Sequence, residues 1–183
     1  MTLQLRSRPR VVLVHGAFGT AASWLGFVPM LEDRGLSVTP AHCPQASFSK
    51  DVAAVWGIID GQEGDVLLVA HSWDGAVISE ACRHPRVRGA VYIASGSDNQ
   101  QALGEWLAEF PAMGNALAPD DTPATGATWT WKSKPTWFIY GEQADGTGVG
   151  AAPMPALLAE VAEVIAQAAA ELTGHGPAEA PRR

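Results

Sequence analysis

The chain has 183 residues, 47% apolar and 17% charged, which excludes a disordered polymer and gives length enough for one buried core without staples. A formal charge of −7, with no basic cluster beyond Arg6, Arg8 and Arg10, argues against nucleic acid and anionic membrane as partners. Cys43 and Cys82 stand far apart with no metal-ligand spacing, and no apolar run reaches the roughly 18 residues of a membrane span. A reduced, cytoplasmic protein without metal or cofactor is the expectation.

The opening "MTLQLRSRPRVVLVHGAFG" is basic and then apolar, like a secretion signal, but "VVLV" is too short and leads into a Gly-bearing loop. It reads as a first strand, 10–15. Apolar residues at helical spacing follow in 21–35, a helix stopped by Gly35, and "LSVTP" (36–40) is a second strand. "SKDVAAVWGIIDG" (49–61) begins at a Ser cap and sets Val52, Val55, Trp56 and Ile59 on one face. "DVLLVA" (65–70), a helix over 73–84 and "RGAVYIAS" (88–95) complete a βαβαβαβ rhythm. Continuous rather than alternating apolar strands imply a parallel sheet covered on both faces.

Residues 96–134 interrupt the rhythm with a short helix at 100–110 and a run rich in Pro, Thr and Gly, too long for an ordinary connection. A small lid is expected, whose Trp106 and Trp129 line a binding site or cover a sheet edge. "PTWFIY" (135–140) resumes the sheet as a fifth strand, 145–155 is a linker, and 155–172 is a helix burying Leu158, Val161, Val164, Ile165 and Leu172. Residues 173–183 form a frayed tail. A single domain spanning 1–183 results, with no internal repeat.

In the common doubly wound order 2-1-3-4-5, ligands bind beyond the carboxyl ends of the first and third strands, where the sheet reverses. The loops there are "HGAFG" (15–19) and "AHSWDG" (70–75). One is a Gly-bearing turn, the other a serine between strand and helix. Backbone amides of Ala17 and Trp73 can then converge beside the Ser72 hydroxyl, the pairing of nucleophile and oxyanion donors that acyl transfer requires.

"VVLVHGAFGTAASW" followed by "LLVAHSWDGAVISEA" resembles the α/β-hydrolase superfamily, in particular its compact branch of small bacterial esterases, methyl-salicylate esterases and hydroxynitrile lyases. "VYIAS" and "WKSKPTWFIYGEQ" resemble that branch's later strands, so the likeness covers residues 10 to about 143. Relative to the branch, the lid and the C-terminal region read as shortened. The resemblance implies Ser72 as nucleophile, Ala17 and Trp73 as oxyanion-hole amides, Phe18 beside the substrate, and a small apolar ester as the partner molecule. It implies His15 as a loop-shaping residue and His71 as structural. The two histidines match the esterases better than the lyases.

Three departures follow. The family's turn reads G-x-S-x-G, whereas this chain has Ala70 and Asp74 at the glycine positions. Asp74 suits the start of a helix, but its charge near an oxyanion opposes the transition state. The triad acid falls on Asp145, one residue late in register, with Asp98 as the fallback. The histidine falls on His175, but a helix rather than a strand precedes it, so a place in the tail stays open. Three functions remain: a serine esterase, a non-hydrolytic or inactive small-molecule binding protein, and a lyase on the same fold. Oligomeric state, including a homodimer, is also left open.

Overall fold

The computed structural model describes residues 7–16, 19–71, 74–93, 134–139 and 155–174. The β-branched runs become five strands: β1 (Arg10–Val14), β2 (Val38–Ala41), β3 (Val66–His71), β4 (Val87–Ile93) and β5 (Thr136–Ile139). All pair in parallel in the order β2-β1-β3-β4-β5, as expected. Central β1 sets Val11 beside Val38 on one side and Leu67 on the other.

Alternation along these strands feeds two cores. Val11, Leu13, Leu67, Val69, Val91 and Ile93 face a layer containing Trp24, Phe27, Leu31 and the C-terminal helix α4 (Pro155–Gly174). Val12, Val14, Val66, Leu68, Ala90 and Tyr92 face α2 (Phe48–Asp60) and α3 (Asp74–Ala81). Both faces being dry explains why the strands read as unbroken apolar runs.

Several boundaries differ from the expectation. The helix expected over 21–35 is two pieces, a 3-10 turn (Ala21–Trp24) and α1 (Val28–Glu32). A capping box between Thr20 and Ser23 starts the first piece. Pro29 lacks an N–H and its ring crowds the carbonyl four residues back, so it can only begin a new helix, which it does. Leu25 consequently stands 66% exposed. Gly35 ends this region with φ +74°, a conformation that favours glycine.

α2 starts one residue earlier than expected, and its cap is Ser47, whose side chain accepts from the Lys50 amide. Trp56 is not a core residue: it is 37% exposed, with its indole N–H donating to the Ala81 carbonyl. α3 is shorter than 73–84 because His84 precedes a proline, which disfavours helical backbone. The buried stripe of α4 is Val161, Ala162, Ile165, Ala168 and Ala169, with the expected Leu158, Val164 and Leu172 only half-buried. This helix also takes in Thr173 and Gly174, so the tail expected from 173 begins later. The expected lid (96–134) apart from Lys134, its helix (100–110), the linker up to 154 and the tail from 175 lie outside the described residues.

Candidate active site

Three segments meet at the carboxyl end of the sheet where the chain reverses between β1 and β3. His15, Gly16 and Gly19 follow β1; His42, Cys43 and Gln45 follow β2; His71 closes β3 and Asp74 opens α3. Ser72 and Trp73 are the two residues between His71 and Asp74. The residues assigned from the sequence to catalysis and binding, Ser72, Trp73, Ala17, Phe18, Trp106, Trp129, Asp145 and His175, all lie outside the described residues, as does the fallback Asp98. The described part is therefore the frame around the expected nucleophile.

His15 is the hub of that frame. It is 1% exposed, and its Nε2 accepts the Cys43 backbone N–H at 3.2 Å. That bond leaves the ring proton on Nδ1, which lies 3.0 Å from the Gly16 carbonyl oxygen, to which it donates. The imidazole is thereby spent on joining the β1 loop to the β2 loop, in agreement with the loop-shaping reading. The β1 loop turns tightly, with the Gly19 N–H on the Gly16 oxygen at 2.9 Å. A Cβ on Gly19 would sit 2.9 Å from that oxygen and 3.3 Å from the His15 Cβ, so only glycine fits.

Gln45 braces the same loop from the other side. Its side-chain amide donates to the Gly19 carbonyl at 2.7 Å, and its backbone N–H donates to Asp51 Oδ1 at 2.8 Å. It does so with φ +52°, a left-handed backbone rare for a side chain of this size. Asp51, in the first turn of α2 and 5% exposed, thus fixes the loop through Gln45. Neither Asp51 nor Gln45 was foreseen. Their spacing carries no motif, and only the packing of α2 against the end of β1 brings them to the site.

Asp74 is the anomaly. It is 1% exposed, and Oδ2 has no hydrogen-bond partner among the described residues. Among the described residues the basic group beside it is His15, whose Nδ1 lies 3.7 Å from Oδ2, beyond hydrogen-bond reach. Burial first, and the Asp51 charge second, push its carboxyl up to about 8. Asp51 is itself raised, chiefly by burial. Burial also pushes the Cys43 thiol up, with both aspartates adding to it, so Cys43 is no nucleophile at neutral pH. His71 is lowered by burial. Among the described residues no group of three or more His, Cys, Asp or Glu is placed to hold a metal ion, and no helix is long and apolar enough to cross a membrane.

α3, which opens at Asp74, is held against β4 by a buried polar chain. The Ser79 hydroxyl donates to the Gly75 carbonyl at 2.7 Å, leaving the Tyr92 hydroxyl to donate to Ser79 at 2.9 Å. The far end of the same segment is held by Lys134, whose ammonium reaches the carbonyls of Cys82, His84 (3.0 Å) and Val87 (2.7 Å).

A doubly wound parallel sheet in the order 2-1-3-4-5 with helices on both faces is an α/β architecture consistent with that of α/β-hydrolases. No family model matches the sequence. Among curated proteins the chain is similar to a pyrethroid hydrolase of Sphingobium wenxiniae, 31% identical over 98 residues, which are 46% of this chain and 35% of that protein. The chain thus spans about a third of the length of that relative. Among solved structures it is similar to a pyrethroid hydrolase from Sphingobium faniae (29% identity, TM-score 0.44, 48% of this chain and 40% of that one). An extracellular α/β-hydrolase from a Paenibacillus species shares 20% identity at TM-score 0.47, over 58% of this chain and 53% of that one.

Proposed function

We propose that the chain is a serine hydrolase that cleaves a small, apolar carboxylic ester. The observation that supports this reading is the frame on either side of Ser72: β3 ends at His71 and α3 begins at Asp74 at the reversal of the sheet, and Ser72 is one of the two residues of sequence between them. The likeness to a pyrethroid hydrolase, an enzyme named for an ester-class substrate, supports the same reading. In it, the Ser72 hydroxyl attacks the acyl carbon while His175 takes its proton, and Asp145 orients the imidazole. The amides of Ala17 and Trp73 hold the oxyanion; the alcohol leaves with the proton from His175, and water then releases the acid. Phe18, Trp106 and Trp129 supply apolar walls for the substrate.

What the described residues contribute is rigidity. His15, Gln45 and Asp51 lock the β1 loop on which the Ala17 amide is carried. A donor fixed before the charge develops costs no reorganisation when it does.

A second reading, a non-hydrolytic binding protein or a lyase on the same fold, is favoured by one observation. α4 occupies Pro155–Gly174, so a helix and not a strand leads into His175. Turnover of p-nitrophenyl butyrate and of a pyrethroid ester separates the two. The hydrolase reading predicts that Ser72→Ala and His175→Ala each abolish turnover to the same extent. Turnover unchanged in Ser72→Ala sinks it, and turnover lost in Ser72→Ala but kept in His175→Ala removes His175 from the mechanism.

A further inference from the structure

We propose that a cleft at the amino end of the sheet binds a phosphate dianion, either free or as the head of a small monoester. It lies at the opposite end from the loops that follow β1 and β3, and it does not rest on the reading of Ser72 as nucleophile.

Three segments wall this cleft of about 460 Å³: residues 7–10 leading into β1, Gly35 and Ser37 between α1 and β2, and Glu63 and Gly64 between α2 and β3. Space of that size suits a small ligand. Arg8 and Arg10, which the sequence sets apart as a basic pair, both line it. Each is tethered by one terminal nitrogen. Arg8 Nη1 donates to the Arg34 carbonyl at 2.8 Å, and Arg10 Nη1 donates to the Ser37 hydroxyl oxygen. A guanidinium holds five N–H donors in a rigid fork, so one tether fixes its place and leaves donors for an oxyanion. The Ser37 oxygen accepts from Arg10, which turns its own proton toward another acceptor, and the Ser7 hydroxyl lines the same space.

The acids around these arginines are weakly placed or already engaged. No carboxylate pairs with Arg8 among the described residues. Glu63 stands at the rim, 4.0 Å from Arg10 Nη2, with its side chain 94% exposed, so water screens its charge. Asp65 gives Oδ1 to Arg88 at 2.8 Å. Arg34, nearby, spends its side chain on Glu163 and the Met30 carbonyl. In a chain of net charge −7, two cations facing one loose acid reverse the local sign and select an anion.

The two turns permit close approach. Gly35 and Gly64 have φ +74° and +84°, the left-handed region that favours glycine. A Cβ on Gly35 would lie 3.5 Å from Arg8 Nη1, and one on Gly64 4.0 Å from Ser7 Oγ, so both glycines border the donor groups. A carboxylate presents two oxygens in one plane and is satisfied by a single fork. A phosphate dianion presents three terminal oxygens, enough for both guanidiniums and a hydroxyl together. The donor set therefore favours phosphate.

The test follows the arginine Nε–H signals of the whole chain by nitrogen NMR, at constant ionic strength and about pH 7.5, where a phosphate monoester is a dianion. Inorganic phosphate and glycerol phosphate should each shift the Arg8 and Arg10 signals and saturate, whereas acetate should not. Tighter binding of glycerol phosphate would assign the cleft to a monoester, and tighter binding of inorganic phosphate to the free ion. Arg8→Gln should weaken phosphate binding by about tenfold. Arg8→Lys, which keeps the charge without the fork, should weaken it less. Glu63→Gln should tighten it by about threefold. Shifts that stay linear with both phosphates, saturation by acetate at the same concentration, or affinity unchanged in folded Arg8→Gln would each overturn the proposal. If Arg8→Gln does not fold, the opposite changes expected of Arg8→Lys and Glu63→Gln decide it.

Discussion

Two effects compete at the first residue of α3. The helix dipole favours a negative charge there by about 0.3–1 kcal/mol, whereas leaving a charge buried and unpaired costs about 3–5 kcal/mol. With Asp74 1% exposed, burial wins and pushes its carboxyl up to about 8. Replacing it with glycine takes an acid away from the expected oxyanion site and should raise ester turnover most above about pH 8, where the carboxyl ionises. A pH series on Asp74→Gly measures this; an equal gain at all pH values would mean the charge is present throughout. Tyr92→Phe removes the hydroxyl that donates to Ser79 and should lower stability by about 1 kcal/mol in urea unfolding. His15 shows how far a sequence reaches at this scale. Its loop-shaping role was legible from the "HG" pair, but its partner, the Cys43 amide, was not, because a backbone group leaves no mark in the sequence.

At the scale of elements, continuous apolar runs made the five strands and their parallel order legible, because a strand buried on both faces has no polar side to hide. Helices were less legible where small residues do the packing. The stripe of α4 was expected on large side chains, yet Ala162, Ala168 and Ala169 are fully buried, letting the helix lie close to the sheet. Ile165 is the large residue at the middle of that contact, so Ile165→Ala should cost about 2–5 kcal/mol, read by thermal or urea unfolding. The break between the two pieces of the 21–35 segment was written in Pro29 but masked by the apolar spacing around it. Lys134 ties the strand that follows the excursion to the turn after α3. Lys134→Met would take the charged donor from the carbonyls of Cys82, His84 and Val87, of which His84 keeps the Val87 N–H, and should cost about 1.5–3 kcal/mol. A loss under about 0.5 kcal/mol would show that those carbonyls find other donors.

Over the whole molecule, the reversal between β1 and β3 gathers three loops onto one end of the sheet, and the charge pattern there differs from the surface. Asp51 and Asp74 are buried together, with no lysine or arginine paired to either among the described residues, in a chain whose net charge is already −7. Such a cluster is absent from any linear pattern, since α2 and α3 contribute one acid each and only the fold brings them to His15. The strand and the helix that flank Ser72 in sequence were legible because each carries its own local pattern. The acid and base expected at Asp145 and His175 depend on distant segments, for which local pattern gives no such support. The similarity to pyrethroid hydrolases spans only part of those enzymes, so the substrate is a matter for assay.

Covalent trapping tests most directly whether Ser72 is an activated nucleophile. Wild-type protein treated with a fluorophosphonate near neutral pH, digested and mapped by mass spectrometry, should carry the phosphonyl group on Ser72, with none on Ser72→Ala. Folded protein that takes up no label, or takes it up elsewhere, would contradict the assignment.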